Sequence, residues 1–146
     1  MTPFDVALRN ATYQAFVELG RAPTIHEVAD RTDAPPEEVA ALWRRLHDGH
    51  ALVLDQAGAI LMANPFSAVE TPHRVDAAGR SWFGNCGWDA FGIGAALHVD
   101  STIHTICPDC GESIDIDVRS GLPTDQEAVF HVLVPARQWW NDIRFT

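Results

Sequence analysis

The residues whose types and spacing could do chemistry are Cys86 and Asp89, which stand three positions apart in the chain. They lie where a glycine-flanked turn gives way to an apolar stretch rich in alanine and glycine, a pattern that predicts the start of a helix. A thiol at a helix N-terminus lies beside unpaired backbone N–H groups, and the helix dipole there favours the thiolate. Asp89, one turn further on, would share the same helix face. The pair is therefore predicted to combine a soft nucleophile with a group that carries a proton.

The Cys-x-x-Asp spacing also fits a simpler interpretation. A buried cysteine that acts as a small hydrophobic side chain beside a helix-capping aspartate produces the same pattern. If Asp89 is a proton donor, it must be protonated when it acts. Burial beside Trp82, Trp88 and Phe91 would favour that state, because desolvation disfavours the charged carboxylate.

Length, composition and charge limit the classes of protein that the chain can represent. Its 146 residues are 47% hydrophobic, enough for one ordinary domain or two small ones that share a core. The formal net charge is −10 and all ten basic residues are arginine, which argues against nucleic-acid binding. The sequence shows no apolar run long enough to span a membrane and no secretory signal. With only three cysteines, too few for a disulfide scaffold, it is predicted to belong to the reducing cytoplasm.

The first part of the chain, residues 1–63, has the pattern of a winged helix. Three amphipathic helices are predicted over residues 3–19, 24–29 and 37–48, and a two-stranded hairpin follows over residues 51–62. Regions of this kind often bind DNA through the third helix.

The predicted third helix nevertheless argues against DNA binding. It begins with Glu37 and Glu38, which place two carboxylates at the end that normally meets bases and phosphates, and Arg44 and Arg45 are its only cations. We therefore expect this region to support or cover the site, with a transcription regulator as the alternative.

The second part, residues 64–146, is predicted to be an α+β region. A hairpin over residues 71–83 leads into the turn at Cys86, and further strands are predicted over residues 98–106 and 113–118. The fold class predicted for the whole chain is α+β. A winged-helix-like helical region precedes a mixed or antiparallel sheet that carries a helix after the Cys-x-x-Asp turn.

The C-terminal segment is apolar to its last residue. Residues 128–134 are predicted to form a buried strand, and residues 138–146, which include Trp139 and Trp140, a strand that enters the core. Adjacent strand residues face opposite sides, so at most one of the two tryptophans would line a given pocket. Because domains usually end in polar residues, we expect that the sequence is truncated at Thr146 or completed by another segment.

A second group of candidate ligands is the stretch Cys107-Pro108-Asp109-Cys110-Gly111. Its two cysteines have the spacing of half a zinc site, His104 would be a third ligand, and Cys86 or His98 would have to be the fourth. Two other interpretations stay open. The stretch is either a turn with two unligated or transiently oxidised thiols, or a pair that accepts Hg(II).

Several motifs, in this order, resemble the organomercurial lyase (alkylmercury lyase) family. Besides the winged-helix-like region they are Asn64-Pro65-Phe66-Ser67, Thr71-Pro72-His73-Arg74 and Cys86-Gly87-Trp88-Asp89, followed by Cys107. The resemblance covers most of residues 24–146. It implies an enzyme that cleaves the carbon–mercury bond by protonolysis and releases a hydrocarbon and Hg(II), with no organic cofactor.

In that family two cysteines and an aspartate carry out the reaction. By motif position Cys86 matches the first thiol, which binds mercury, Asp89 matches the proton carrier, and Cys107 matches a further cysteine that is buried and structural. The second catalytic cysteine is expected just beyond Thr146. Three possibilities follow: it belongs to a further segment, Cys107 or Cys110 replaces it, or the chain does not cleave mercurials.

The resemblance also implies partners. The substrate would be a small organomercurial, and a low-molecular-weight thiol or a mercury-accepting protein would remove the Hg(II), because thiolate complexes exchange ligands with other thiols. His73 would either line the pocket or bond to backbone groups. The alternatives to a lyase are a non-catalytic, thiol-based metal-binding member of the family and a winged-helix regulator.

Overall fold

The structure is a computed structural model that describes residues 1–125, 129 and 131–143. Its helices are α1 (Pro3–Leu19), α2 (Ile25–Thr32), α3 (Pro36–Asp48), α4 (Gly87–Leu97) and a 3₁₀ helix (Ala136–Asn141). Its strands are β1 (Val53–Leu54), β2 (Ile60–Ala63), β3 (Phe66–Ser67), β4 (Arg74–Ala77), β5 (Arg80–Gly84), β6 (Ser101–Ile106), β7 (Ser113–Arg119) and β8 (Leu122–Pro123). No helix within the described ranges has the length and apolar character needed to cross a membrane.

Local sequence signals fix the starts of the first two helices. Thr2 caps α1 and Thr24 caps α2, each by accepting a hydrogen bond from the backbone N–H three residues on. The acidic side chains at those positions, Asp5 and Glu27, accept hydrogen bonds from the threonine N–H groups, which completes two capping boxes. The three predicted helices are confirmed, and the order of three helices and a hairpin is the one predicted for a winged helix.

The three helices pack around the buried side chain of Trp43. Its indole N–H donates a 3.0 Å hydrogen bond to the Thr12 hydroxyl, which in turn donates to the carbonyl of Leu8. Both polar groups are thus paired inside the core, where an unpaired one would cost stability. The buried apolar side chains around them are Leu8, Phe16, Val28, Val39 and Leu42.

The strands form one eight-stranded sheet in the order β1-β2-β3-β5-β4-β6-β7-β8. Every pairing is antiparallel, so the antiparallel alternative is confirmed and the mixed sheet is wrong for the described strands. The hairpin that follows α3 belongs to this sheet, because β2 pairs with β3 and β3 with β5. The sheet therefore runs without a break from the helical region to the strands around Cys86.

Phe66 joins the helical region to the sheet. Its ring stacks on that of Phe16 at 5.3 Å between centroids and meets the edge of Trp82 at 6.2 Å. On the same sheet α4 buries Ala90 and Ile93. Burial of these large apolar side chains holds α1, α4 and β5 together.

The predicted buried strand over residues 128–134 is wrong for its described members. Residues 129 and 131–134 lie in no strand, and Val129 and Leu133 are 90% and 79% exposed. Residues 128 and 130 lie outside the described part. A short apolar run does not determine a strand by itself, since it also needs a neighbouring strand to pair with.

The prediction for residues 138–146 is also wrong where it can be compared. Residues 138–141 belong to the 3₁₀ helix, and residues 144–146 lie outside the described ranges. Trp140 stacks on His50 with ring centroids 4.2 Å apart, and the Trp139 indole donates to the carbonyl of Val134. This segment therefore lies against the end of the helical region rather than inside the sheet.

Candidate active site

Cys86 lies at the junction between β5 and α4. It is the N-cap residue of α4, in an extended conformation, and its carbonyl accepts the first helical hydrogen bond from Ala90. The predicted helix start at Cys86 is confirmed. The thiol thus stands at a strand-to-helix turn, with the sheet on one side and the helix on the other.

Gly84 allows this junction to be tight. A Cβ atom added to Gly84 would lie only 2.7 Å from the Ala90 nitrogen and 3.0 Å from its Cα, closer than real Cβ atoms approach backbone. The end of β5 therefore touches the first turn of α4 directly. Only glycine fits there, and this contact sets the position of the Cys86 thiol.

The structure brings Cys86 and Asp89 together as predicted. The Cys86 Sγ lies 3.9 Å from the Asp89 Oδ2, within hydrogen-bonding distance for sulfur. Cys86 and Asp89 are both partly buried. A proton can therefore pass between thiol and carboxylate without an intervening group.

The helix N-terminus acts in the predicted direction but does not make Cys86 a thiolate, because the net shift of its pKa is upward. Burial raises the pKa of the thiol, and the negative charge of Asp89 adds to the increase. Hydrogen bonds from the backbone N–H groups of Asp89 and Trp88 lower this pKa but do not reverse the direction. The effect of desolvation on the pKa is larger than that of the backbone N–H groups at the helix start. Cys86 is therefore a thiol until a ligand displaces its proton.

The expectation for Asp89 is confirmed in direction. Burial raises the pKa of its carboxyl, although hydrogen bonds from Asn85 and Cys86 oppose the shift. The predicted surroundings need one correction, because Trp82 is buried but Trp88 is 61% exposed. The site thus favours a protonated Asp89 more than water does, but the exposed side chain of Trp88 does not bury the carboxyl as predicted.

Asn85 is the residue of the site that the sequence did not reveal. Its Nδ2 donates to the Asp89 Oδ2 at 3.0 Å and to the Asn64 Oδ1 at 3.2 Å. Its own Oδ1 is buried and has no hydrogen-bond partner among the described residues. Asn85 therefore holds the carboxylate of Asp89 and ties it to the segment before β3. The one sequence signal was its position directly before Cys86.

The Thr-Pro-His-Arg motif supports the same junction from the neighbouring strand. The Thr71 hydroxyl donates to the Gly84 carbonyl at 2.6 Å, and the Gly84 N–H donates to the His73 carbonyl at 2.9 Å. The His73 ring pairs with the Thr105 hydroxyl at 2.8 Å, and burial lowers the pKa of this histidine. Thr71 and His73 therefore act as structural supports of the turn that carries Cys86.

Tyr13 brings α1 to the site. Its pKa is raised mainly by burial and in part by the negative charge of Asp89, while Arg9 opposes the shift. Its hydroxyl donates to the carbonyl of Ala51, the residue after His50. The helical region is thus close enough to the site for the charge of Asp89 to act on Tyr13.

Cys107 and Cys110 lie in the turn between β6 and β7. The Cys107 sulfur accepts hydrogen bonds from the backbone N–H groups of Cys110 and Asp109 and from the Cys110 thiol, and these lower the pKa of Cys107. Cys107 is partly exposed and Cys110 is exposed. Cys107 is therefore partly buried and not fully buried as expected.

The zinc interpretation of this turn finds no support in the described residues, which contain no group of three histidine, cysteine or acidic side chains placed to hold a metal. Both ring nitrogens of His104 are engaged, one with Asp115 at 2.7 Å and one with Asp76 at 3.1 Å. His98 ends α4 as its C-cap. Neither histidine joins the two cysteines.

Two clefts open elsewhere on the described surface. One of about 540 Å³ lies beside the β4–β5 turn, and one of about 590 Å³ lies between α2, α3 and the β1–β2 hairpin. Neither includes Cys86 or Asp89 among its lining residues.

An α+β fold with a thiol and a protonatable carboxyl in contact at a strand-to-helix turn defines a thiol-dependent class of site. The family model for MerB, alkylmercury lyase, matches residues 66–146, more than half of the sequence. The chain therefore belongs to the alkylmercury lyase family, as its motifs predicted.

A solved structure supports the same fold. The chain is similar to the crystal structure of the mercury-bound form of MerB2, with a TM-score of 0.69 and 22% sequence identity. The match covers 86% of this chain and 60% of that one, so the chain spans about 60% of the length of that relative. No curated protein matched the chain.

Proposed function

We propose that this chain cleaves the carbon–mercury bond of organomercurials by protonolysis, with Cys86 as the mercury ligand and Asp89 as the proton carrier. The observation that carries the proposal is the 3.9 Å contact between the Cys86 Sγ and the Asp89 Oδ2. Membership of the alkylmercury lyase family and the likeness to a mercury-bound structure support the same chemistry.

Mercury binding would move the first proton. Cys86 is a thiol at rest because its pKa is raised, but soft metals are bound by the thiolate. Asp89 is the carboxylate in contact with it, so it accepts the proton that mercury displaces. Partial burial, which raises the pKa of Asp89, lets the carboxyl keep that proton.

The same proton would then complete the reaction. With the Cys86 thiolate on mercury, electron density rises on the attached carbon, and the neutral Asp89 carboxyl protonates that carbon as a general acid. The hydrocarbon leaves, Asp89 is again ionised, and Hg(II) stays on Cys86. No organic cofactor takes part in this scheme.

A second thiolate must balance the product, and we propose that it comes with the substrate. Cys107 lies at the end of β6, and β4 separates β6 from β5, so the two turns stand about 10 Å apart at normal strand spacing. Two sulfur ligands at about 2.3 Å from one metal ion are at most about 4.6 Å apart. A substrate of the form R–Hg–SR′ reacts with the Cys86 thiol to give R–H and a Cys86–S–Hg–SR′ product. A small thiol or a mercury-accepting protein then removes the Hg(II) by exchange.

We propose that the helical region covers the site rather than binding DNA. The first turn of α3 carries Glu37 and Glu38, and the guanidinium of Arg45 is paired with Asp5. Tyr13 of α1 is close enough to feel the charge of Asp89. A DNA regulator would instead bind duplex DNA with an affinity that falls steeply with salt, which a gel-shift series at rising salt measures. We place the enzyme in the reducing cytoplasm, where its thiols stay free.

The test of the lyase is a single-turnover assay on the full chain with a methylmercury–thiol complex. Gas chromatography measures methane, and mass spectrometry measures what stays on the protein. We expect methane in step with retained Hg(II), and neither product from the Cys86→Ser variant. An intact methylmercury adduct that persists on the wild-type protein would instead identify a non-catalytic mercury binder.

A further inference from the structure

The turn between β6 and β7 holds its two cysteines in a fixed geometry. The Cys107 N–H donates to the Glu112 carbonyl at 2.8 Å, and the Gly111 N–H donates to the Cys107 carbonyl at 2.9 Å. Gly111 adopts a φ of +74°, which favours glycine and closes the turn. The turn is therefore closed by its own backbone hydrogen bonds.

The backbone brings the two cysteines of this turn close together. The hydrogen bond from the Gly111 N–H to the Cys107 carbonyl closes one turn of chain over residues 107–111, and Cys107 and Cys110 stand three residues apart within it. Both cysteines are free; Cys107 is partly buried and Cys110 is exposed. A ligand can thus reach both sulfurs at once without unfolding the hairpin.

The pair lies at the same end of the sheet as Cys86. The register places Arg74 beside both Phe83 and His104, and His73 beyond it pairs with Gly84 on one side and Thr105 on the other. The C-terminal ends of β5 and β6 therefore lie at the same end of the sheet. They lead to Cys86 and to Cys107, about 10 Å apart at normal strand spacing. Cys107 and Cys110 are the only other cysteines in the sequence.

We propose that Cys107 and Cys110 form a second site, separate from Cys86, that binds one Hg(II) ion between two thiolates. The choice of Hg(II) as the ion rests on the proposed function. The presence of a two-thiol site does not, because it follows from the turn. When a mercury bis-thiolate Hg(SR′)₂ binds, two Hg–S bonds to SR′ break and two to the protein form. The two cysteine protons leave on the released thiols, and no atom changes oxidation state.

The number of ligands favours Hg(II) over zinc. A structural zinc site needs four ligands, whereas the described residues offer only the two sulfurs at this turn. Hg(II) is satisfied by two thiolates, which are the ligands that soft ions select. Because Cys107 and Cys110 lie at the same end of the sheet as Cys86, this pair of thiols is placed to accept Hg(II) that leaves Cys86.

The test compares two forms of the full chain. One carries Cys86→Ser and keeps Cys107 and Cys110, and the matched control carries Cys110→Ser as well. Both are titrated with mercuric chloride in excess 2-mercaptoethanol, and native mass spectrometry counts the bound Hg(II). We expect one Hg(II) per chain in the first protein and an affinity at least about 100-fold weaker in the control, because a second thiol on the same turn acts at high effective concentration.

Two-dimensional NMR locates the ion. In the Cys86→Ser protein, Hg(II) is expected to shift the amide signals of residues 105–112 and to leave those of residues 84–90 in place. In the wild-type background, Cys110→Ser is expected to reduce bound Hg(II) from two ions to one. Equal Hg(II) retention with and without Cys110, an ion bridging two chains, or a disulfide with no bound Hg(II) would each overturn the proposal.

The outcome is independent of the lyase test. If the turn fails to hold Hg(II), methane release by the wild-type protein is unaffected. If the wild-type protein releases no methane, the count of Hg(II) on the Cys86→Ser protein still decides the two-thiol site.

Discussion

The two thiol sites at one end of the sheet have pKa values that shift in opposite directions, although the backbone around the two cysteines is similar. At both Cys86 and Cys107, the backbone N–H groups two and three residues ahead lower the pKa of the thiol. The pKa of Cys86 is nevertheless raised, because desolvation and the Asp89 carboxylate outweigh those groups, while that of Cys107 is lowered, because hydrogen bonding outweighs desolvation there. Backbone N–H groups stabilise a thiolate only where burial does not outweigh them.

This difference suits two different tasks. A protonated thiol beside a carboxyl keeps a proton available at Cys86 for transfer to carbon. An open pair with a stabilised thiolate at Cys107 binds metal ions and exchanges ligands without needing a proton donor. The next four predictions test this contrast and the Cys86 site, from the largest expected effect to the smallest.

Gly84→Ala should disturb the Cys86 site alone. The new Cβ would lie 2.7 Å from the Ala90 nitrogen, so α4 must shift away from β5. We expect the free energy of unfolding to fall by about 1–3 kcal/mol, as for other overpacked sites, and methane release to slow. Thermal unfolding measures the first effect. Gly58→Ala is the control for general loss of glycine, since its φ of +84° costs strain but no atom lies within 4 Å. Equal methane release by Gly84→Ala and the wild type would show that the tight junction does not position the thiol.

Alkylation at neutral pH should distinguish the two sulfurs. Because the thiolate is the reactive form, iodoacetamide is expected to modify Cys107 at least about tenfold faster than Cys86. Peptide mass spectrometry over time measures both rates in the same sample. Faster labelling of Cys86 would mean that the backbone N–H groups at the start of α4 lower the pKa of Cys86 by more than burial raises it.

Asn85→Ala should shift the pH dependence of cleavage. The Asn85 amide donates to Asp89 and lowers the pKa of that carboxyl, so its removal raises this pKa further. Cleavage needs the protonated acid, and it should therefore persist to higher pH in this variant. Asn64→Ala is the matched control, because the Asn64 side chain accepts its hydrogen bond from Asn85 and not from the Asp89 side of the site. Identical pH profiles for Asn85→Ala and the wild type would remove Asn85 from the account.

Asp89 should also leave a small signature in stability. Its folded pKa is raised above the unfolded value of about 3.9, so the folded state binds more protons between those two values. The free energy of unfolding of the wild type should fall as pH rises through this window. Asp89→Asn lacks this group, and the difference between the two denaturation curves isolates it from carboxylates with lowered pKa values such as Asp76 and Asp117. A difference that grows in the opposite direction would contradict a raised pKa.

Local signals in the sequence were sufficient for much of the fold. The Thr24–Glu27 capping box fixes the start of α2, and the three-residue spacing brings Cys86 and Asp89 into contact on one turn of α4. Both depend on residues a few positions apart, which a sequence displays directly. The family resemblance, confirmed over residues 66–146, added the expected chemistry.

Features that depend on distant residues could not be predicted. Asn85 meets Asn64 across 21 positions, and the charge of Asp89 acts on Tyr13, which lies 76 positions away in the sequence. The pKa of Cys86 depends on how deeply the turn is buried, which spacing does not reveal. The apolar residues 128–134 suggested a strand, but hydrophobicity without a pairing partner does not specify one.

The most direct measurement follows a methylmercury–thiol complex on the Asp89→Asn variant beside the wild type. Single-turnover methane release and protein mass are recorded together, because uptake by Cys86 and protonation of carbon are separate steps in the account. We expect Asp89→Asn to take up methylmercury and hold it intact, with methane release slowed about 10²–10⁴-fold, the usual contribution of general acid catalysis. Methane release by Asp89→Asn at the wild-type rate would contradict the role of Asp89 as the proton carrier.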